Sequence, residues 1–86
     1  NQELDNIHSF LTGAVPFLTA GGRLVCISFH SLEDRIVKQF FVTKKQLGIF
    51  EVLTKKVVVP APEEILSNPS SRSAKLRAAI KIKTVY

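Results

Sequence analysis

Leu4, Ile7, Leu11, Ala14 and Leu18 recur at gaps of three and four. That spacing draws one apolar stripe on a helix over residues 4–18. Glu3 and Asp5 fall in its first turn, where the helix dipole favours acids. Pro16 has no amide hydrogen and its ring crowds the preceding turn, so a break is expected near Val15. Gly21-Gly22 is expected to end the helix, because a left-handed position costs glycine little. The run Leu24-Val25-Cys26-Ile27-Ser28-Phe29 is short, nearly all apolar and partly β-branched. It predicts a strand buried on both faces, typically a parallel one between helices. Ser31 is placed to cap the next helix, with Asp34 as the returning partner of a capping box. Ile36, Val37, Phe40 and Phe41 follow at helical spacing, and Gly48 closes the helix.

Residues 50–59 are rich in β-branched side chains and predict a second strand, interrupted by Lys55 and Lys56. Pro60 and Pro62 end it, since proline cannot donate to a sheet ladder. Residues 60–73 form a loop with one helical turn at Glu63–Leu66. The last segment alternates. Lys75, Arg77, Ala79, Lys81 and Lys83 share one side; Leu76, Ala78, Ile80 and Ile82 share the other. Period two predicts a strand with one buried face and one solvated basic face. The order is helix, strand, helix, strand, strand. The loop before the final strand is too short for a packed crossover helix, so the last two strands pair as an antiparallel hairpin. The fold class is α/β.

The chain has 86 residues, enough for one small domain. It lacks methionine and opens inside a helical pattern, which is expected of a piece of a longer chain. The longest apolar run, residues 57–62, is far below the roughly 20 residues of a membrane span. No signal-peptide pattern occurs. One cysteine excludes an internal disulfide framework. Cys26 sits inside a strand pattern and is expected to act as a small buried hydrophobe. Twelve Lys and Arg against seven Asp and Glu give a net charge of +5. Residues 65–86 hold Arg72, Lys75, Arg77, Lys81 and Lys83 and no acid. A basic end favours a polyanionic partner through phosphate contact and counterion release.

Two clusters carry candidate chemistry. His30, Ser31, Glu33, Asp34 and Arg35 follow the first strand and open the second helix. Ligand sites in open α/β sheets form outside the carboxyl ends of strands. From the residues alone, helix capping plus an Arg35–acid pair is the favoured explanation of this cluster. A Ser/His/Asp triad is poorly supported, because His30 and Ser31 are neighbours and no nucleophile elbow surrounds them. His8 and His30 lie on different elements and show no metal-ligand spacing. The second cluster is Asn68, Arg72, Ser73, Lys75 and Arg77. Its cations and hydroxyls suit phosphates, and it has no aromatic for base stacking.

Both clusters resemble one family. Gly21-Gly22-Arg23-Leu24 followed by Ile27-Ser28-Phe29-His30-Ser31-Leu32-Glu33-Asp34-Arg35-Ile36-Val37-Lys38 is similar to the GGRL-x-x-ISFHSLEDRIVK stretch of the RsmH (MraW) methyltransferases. Asn68-Pro69 with Arg72-Ser73-Ala74-Lys75-Leu76-Arg77 resembles their NP-x-x-RSAKLR stretch, and Asn1-Gln2-Glu3-Leu4 the tail of their VN-x-EL segment. The resemblance implies a Rossmann-like class I methyltransferase sheet of which residues 1–86 form the C-terminal portion. The strand at 23–29 would be its fifth. The resemblance further implies methyl transfer from S-adenosylmethionine to the exocyclic N4 of a cytidine in small-subunit (16S) ribosomal RNA, in the bacterial cytoplasm or an organelle.

That family's cofactor-binding glycine-rich segment and inserted helical domain have no counterpart here, so no cofactor-binding residue carries over and the chain alone is expected to be inactive. By the same resemblance His30, Ser31, Glu33, Asp34 and Arg35 line the catalytic cleft or order the loop beside it. Asn68, Arg72, Ser73, Lys75 and Arg77 contact RNA or tie the hairpin to the cleft. An exposed edge on the strand at 23–29 predicts self-association. The competing reading is a noncatalytic basic RNA-binding or assembly module.

Overall fold

The computed structural model describes residues 2–82. Its first helix, α1 (Gln2–Ala14), gives way to a 3-10 turn, Val15–Phe17. The helix thus stops short of Leu18 and well before the glycines, at the break that Pro16 imposes. Gly21, with φ of 89°, turns the chain into strand β1 (Arg23–Ser28). Helix α2 (Ser31–Gln46) leads to β2 (Phe50–Val52), the short helix α3 (Pro62–Ser67), a 3-10 turn (Pro69–Ser73) and β3 (Lys75–Lys81).

The three strands lie in the order β1-β3-β2, and both pairings are antiparallel. The expected hairpin of the last two strands is present. The expectation of a parallel, doubly buried first strand is corrected. β1 runs antiparallel to β3 at the sheet edge, and Val25 and Ile27 are 54% and 57% exposed. The cause is one-sided packing. The core of Leu11, Val15, Val37, Phe40, Phe41, Ile49, Phe50 and Ala79 fills the space between α1, α2 and one sheet face. Phe40, Phe41 and Phe50 meet in tilted and edge-to-face pairs, with ring centroids 5.8–6.4 Å apart. Val25 and Ile27 point away from that core, on the side of Ala78 and Leu76.

The second strand is shorter than residues 50–59. Pairing runs through Val52, Leu53 N–H still donates to Ala78 O (2.9 Å), and the Thr54 hydroxyl then accepts from Ala78 N–H (3.1 Å). The chain leaves the sheet at Lys55 and Lys56 and rejoins it at a single bridge between Val58 and Leu76. A side-chain oxygen has replaced a backbone acceptor, which lets the strand bulge without orphaning a donor.

The alternation of β3 is present, but its sidedness is corrected. The side carrying Lys75, Arg77, Ala79 and Lys81 faces the helices, and Ala79 and Lys81 are buried. Lys81 is 1% exposed, and its Nζ donates to Val15 O (2.8 Å) and Leu18 O (2.7 Å). Those carbonyls flank the turn that Pro16 forces, and the ammonium satisfies them at the negative end of α1. Lys83, the next member of that alternation, and Asn1 of the family-like opening lie outside the described residues.

Candidate functional site

The carboxyl end of β1 passes through Phe29 and His30 into α2. The residue that caps α2 is His30, not Ser31. His30 is extended (φ −138°, ψ 141°), and its Nδ1 accepts the Leu32 amide at 3.1 Å. Its backbone carbonyl accepts the first helical bond, from Asp34 N–H at 3.0 Å. Glu33, rather than Asp34, reaches back: its Oε1 accepts Phe29 N–H at 3.3 Å. The turn is therefore braced from both sides in the manner of a capping box. Among the described residues the imidazole's other nitrogen, Nε2, makes no hydrogen bond. Ser31 and Arg35 are exposed on the same turn, and no ion pair joins Arg35 to an acid among the described residues.

Asp34 is free of capping because it is held elsewhere. Its two carboxylate oxygens accept Arg77 Nε (2.7 Å) and Nη2 (2.9 Å), and both side chains are 13% exposed. The parallel two-point contact matches the fork of the guanidinium. Hydrogen bonding to Arg77 holds the Asp34 carboxyl below its ordinary range, against the opposing effect of burial; the charges of Arg77, Lys75 and Lys38 add to the lowering. The same hydrogen bond raises the Arg77 value. Burial alone pushes the half-buried Cys26 thiol up, which suits a packing residue rather than a nucleophile.

Strand register joins the two sequence clusters. Lys75 lies opposite Ser28 and Arg77 opposite Cys26, so the start of β3 runs beside the end of β1. Asn68 closes the α3 end as a turn hub. Its Oδ1 accepts the Ser70 hydroxyl (2.7 Å), and its carbonyl accepts both the amide (3.0 Å) and hydroxyl (2.8 Å) of Ser71. Arg72 and Ser73 follow, exposed on the 3-10 turn that feeds β3. The register thus forms a crest in which Lys75 stands beside the carboxyl end of β1, Arg77 is tied to Asp34, and Arg72 and Ser73 lie on the turn that leads into the strand. Sequence reasoning did not single out Thr54 or foresee the internal role of Lys81. A threonine just before a lysine pair was the available signal for the first.

The residues of this chain match the model of the MraW methylase family over positions 1–82. The chain belongs to that family. It is 57% identical to a ribosomal RNA small subunit methyltransferase H of Endomicrobium trichonymphae over 81 residues, which is 94% of this chain and 28% of that protein. The protein of the same name from Coprothermobacter proteolyticus is 61% identical over 77 residues, covering 90% of this chain and 26% of the relative. One from Orientia tsutsugamushi is 46% identical over 99 residues, covering 95% and 32%. The chain thus spans between a quarter and a third of the length of these curated relatives.

S-adenosylmethionine, implied by resemblance to the MraW methylases, finds no holding set among the described residues. Both Asp34 oxygens are held by Arg77 and Glu33 Oε1 accepts Phe29 N–H, so neither carboxylate offers both oxygens to a ribose. The two glycines of the turn precede β1 rather than follow it. Among the described residues no helix is long and apolar enough to cross a membrane.

Proposed function

We propose that this chain is the C-terminal portion of an S-adenosylmethionine-dependent methyltransferase that modifies the exocyclic N4 of a cytidine in small-subunit (16S) ribosomal RNA. The observation that carries the reading is the extent of the family match, which runs through both candidate clusters. The name that these relatives share, ribosomal RNA small subunit methyltransferase H, supports the substrate class. The uncovered face of β1, apolar along Val25 and Ile27, supports a sheet that continues into a larger domain. Cofactor binding then belongs to the rest of that domain, and these residues alone are inactive. The compartment is the bacterial cytoplasm or an organelle with bacterial-type ribosomes.

In this reading the crest serves substrate placement. An aromatic amine attacking a sulfonium methyl gains most from being held in line with it. The His30–Ser31 turn, braced by Glu33 and by the Asp34–Arg77 pair, gives the cleft a fixed wall, and Arg72 and Lys75 offer charge to RNA phosphates. Arg77 supports that wall rather than the RNA, since its guanidinium is committed. The test is methyl transfer from labelled S-adenosylmethionine to small-subunit rRNA or its ribosomal subunit, with full-length enzyme and with this chain alone. Transfer by the full-length protein only, at a cytidine N4, supports the proposal. A full-length protein that binds rRNA without methylating it would make the noncatalytic RNA-binding module the better account.

A further inference from the structure

One face of α2 carries Asp34, Lys38, Phe41, Val42 and Lys45, at spacings that keep them on one side of a helix. Between this face and the sheet lies a groove of about 380 Å³, lined by Lys38, Phe41, Lys45, Val52, Lys55 and Arg77 among others. Lys38 and Lys45 are seven residues apart, about 10.5 Å along the helix. Lys55 supplies the opposite wall. It is carried there by the bulge that begins where Thr54 takes over the Ala78 amide. Among the described residues the one ion pair is Asp34–Arg77. The carboxylate of the helix face is therefore already neutralised, and Glu51 is the remaining acid on the groove wall against three exposed lysines. The floor is apolar, with Phe41 buried and unable to offer its ring face for stacking.

We propose that this groove, through Lys38, Lys45 and Lys55, holds the ribose-phosphate backbone of the RNA substrate away from the target nucleotide. The proposal rests on the rRNA-methyltransferase reading above and extends it to a second contact surface. Charge complementarity carries it: three cations converge on a concave strip that starts at the Asp34–Arg77 pair, beside the crest. The contact reads backbone and not bases, because lysine is a point charge and no exposed aromatic lines the strip.

The sequence provides matched controls. Lys44 and Lys56 are the immediate neighbours of Lys45 and Lys55, yet neither lines the groove; Lys44 instead lies over the Phe40 ring, 5.3 Å from its centroid. The experiment measures binding of full-length enzyme to a small-subunit rRNA fragment across a salt series. It compares the triple variant Lys38→Glu, Lys45→Glu, Lys55→Glu with the double variant Lys44→Glu, Lys56→Glu, after thermal melts show both folded. The groove variant is expected to bind about tenfold or more weakly at 0.1 M salt. Its slope of log affinity against log salt should fall by about two, while the control stays near wild type. Equal losses in both variants, or loss in neither, would overturn the groove. Wild-type enzyme that methylates rRNA while the groove variant binds normally overturns the groove alone. Wild-type enzyme that binds no rRNA overturns the underlying reading as well.

Discussion

Asp34 and Arg77, 43 residues apart in sequence, meet through two parallel hydrogen bonds of 2.7 and 2.9 Å and fasten the first turn of α2 to the central strand. Asp34 titrates below its ordinary range in the folded chain. A depressed carboxylate contributes stability that is fully present above the unfolded value, about pH 4, and is lost as pH falls through the folded value. Arg77→Ala is therefore expected to lower stability by about 1.5–3 kcal/mol at pH 7. The deficit relative to wild type should shrink as the solution is acidified below pH 4. Urea titrations at pH 7 and pH 3 test this, and a deficit equal at both values would refute the account.

Lys81 is a buried cation whose partners are backbone carbonyls. Lys81→Met keeps most of the side-chain stem and removes the ammonium, so Leu18 O loses its Lys81 donor and Val15 O keeps only the Leu18 amide. A loss of about 1–3 kcal/mol is expected. Amide exchange should quicken at residues 15–22, where the turn depends on it. If chemical denaturation shows the variant as stable as wild type, the two contacts carry no net stabilisation.

His30 is a cap before it is anything else. His30→Ala should cost about 1 kcal/mol, whereas His30→Asn, a good capping residue, should recover most of the loss. The two variants also separate capping from proton transfer in full-length enzyme. A cap role predicts near-normal methyl transfer for the asparagine variant; equal collapse of kcat in both would assign the imidazole a direct part.

The outer edge of β1 has no strand beside it among the described elements. Lys81 N–H pairs with Gly22 O, so along the ladder Leu24, Cys26 and Ser28 face β3, and Arg23, Val25 and Ile27 turn their backbone groups outward. With exposed apolar side chains there, the isolated chain is expected to self-associate in a concentration-dependent way. Ile27→Lys should suppress it. Sedimentation velocity over a range of concentrations checks both statements, and a wild-type monomer throughout would remove the edge as an adhesive surface.

The order of helices and strands was legible because each leaves a local mark. Gaps of three and four wrote α1 and α2, Pro16 wrote the break at Val15, and strict alternation wrote β3. What alternation could not give is sidedness. Period two says that Arg77, Ala79 and Lys81 share a face, but not whether that face meets water. Charge argued for water. The fold instead used the long stems of Arg77 and Lys81 to reach acceptors exposed elsewhere, at Asp34 and at the carbonyls beside Pro16. The same limit applies to the candidate site. His30, Glu33 and Asp34 were visible as a cluster, while their division of labour depends on Leu32 N–H, Phe29 N–H and a guanidinium 43 residues away.

β3 stands between β1 and β2, yet it is the last of the three to be synthesised. Until residues 75–81 leave the ribosome, neither earlier strand has the neighbour it pairs with in this sheet. Arg23 must wait for Ile80 and Phe50 for Lys81. Such long loops close slowly. The ammonium of Lys81 reaches Val15 and Leu18 only at that same late moment, so the turn made early by Pro16 acquires its final hydrogen bonds from nearly the last described residue of the chain. Translation that stalls before Lys75 would leave β1 and β2 with nothing between them.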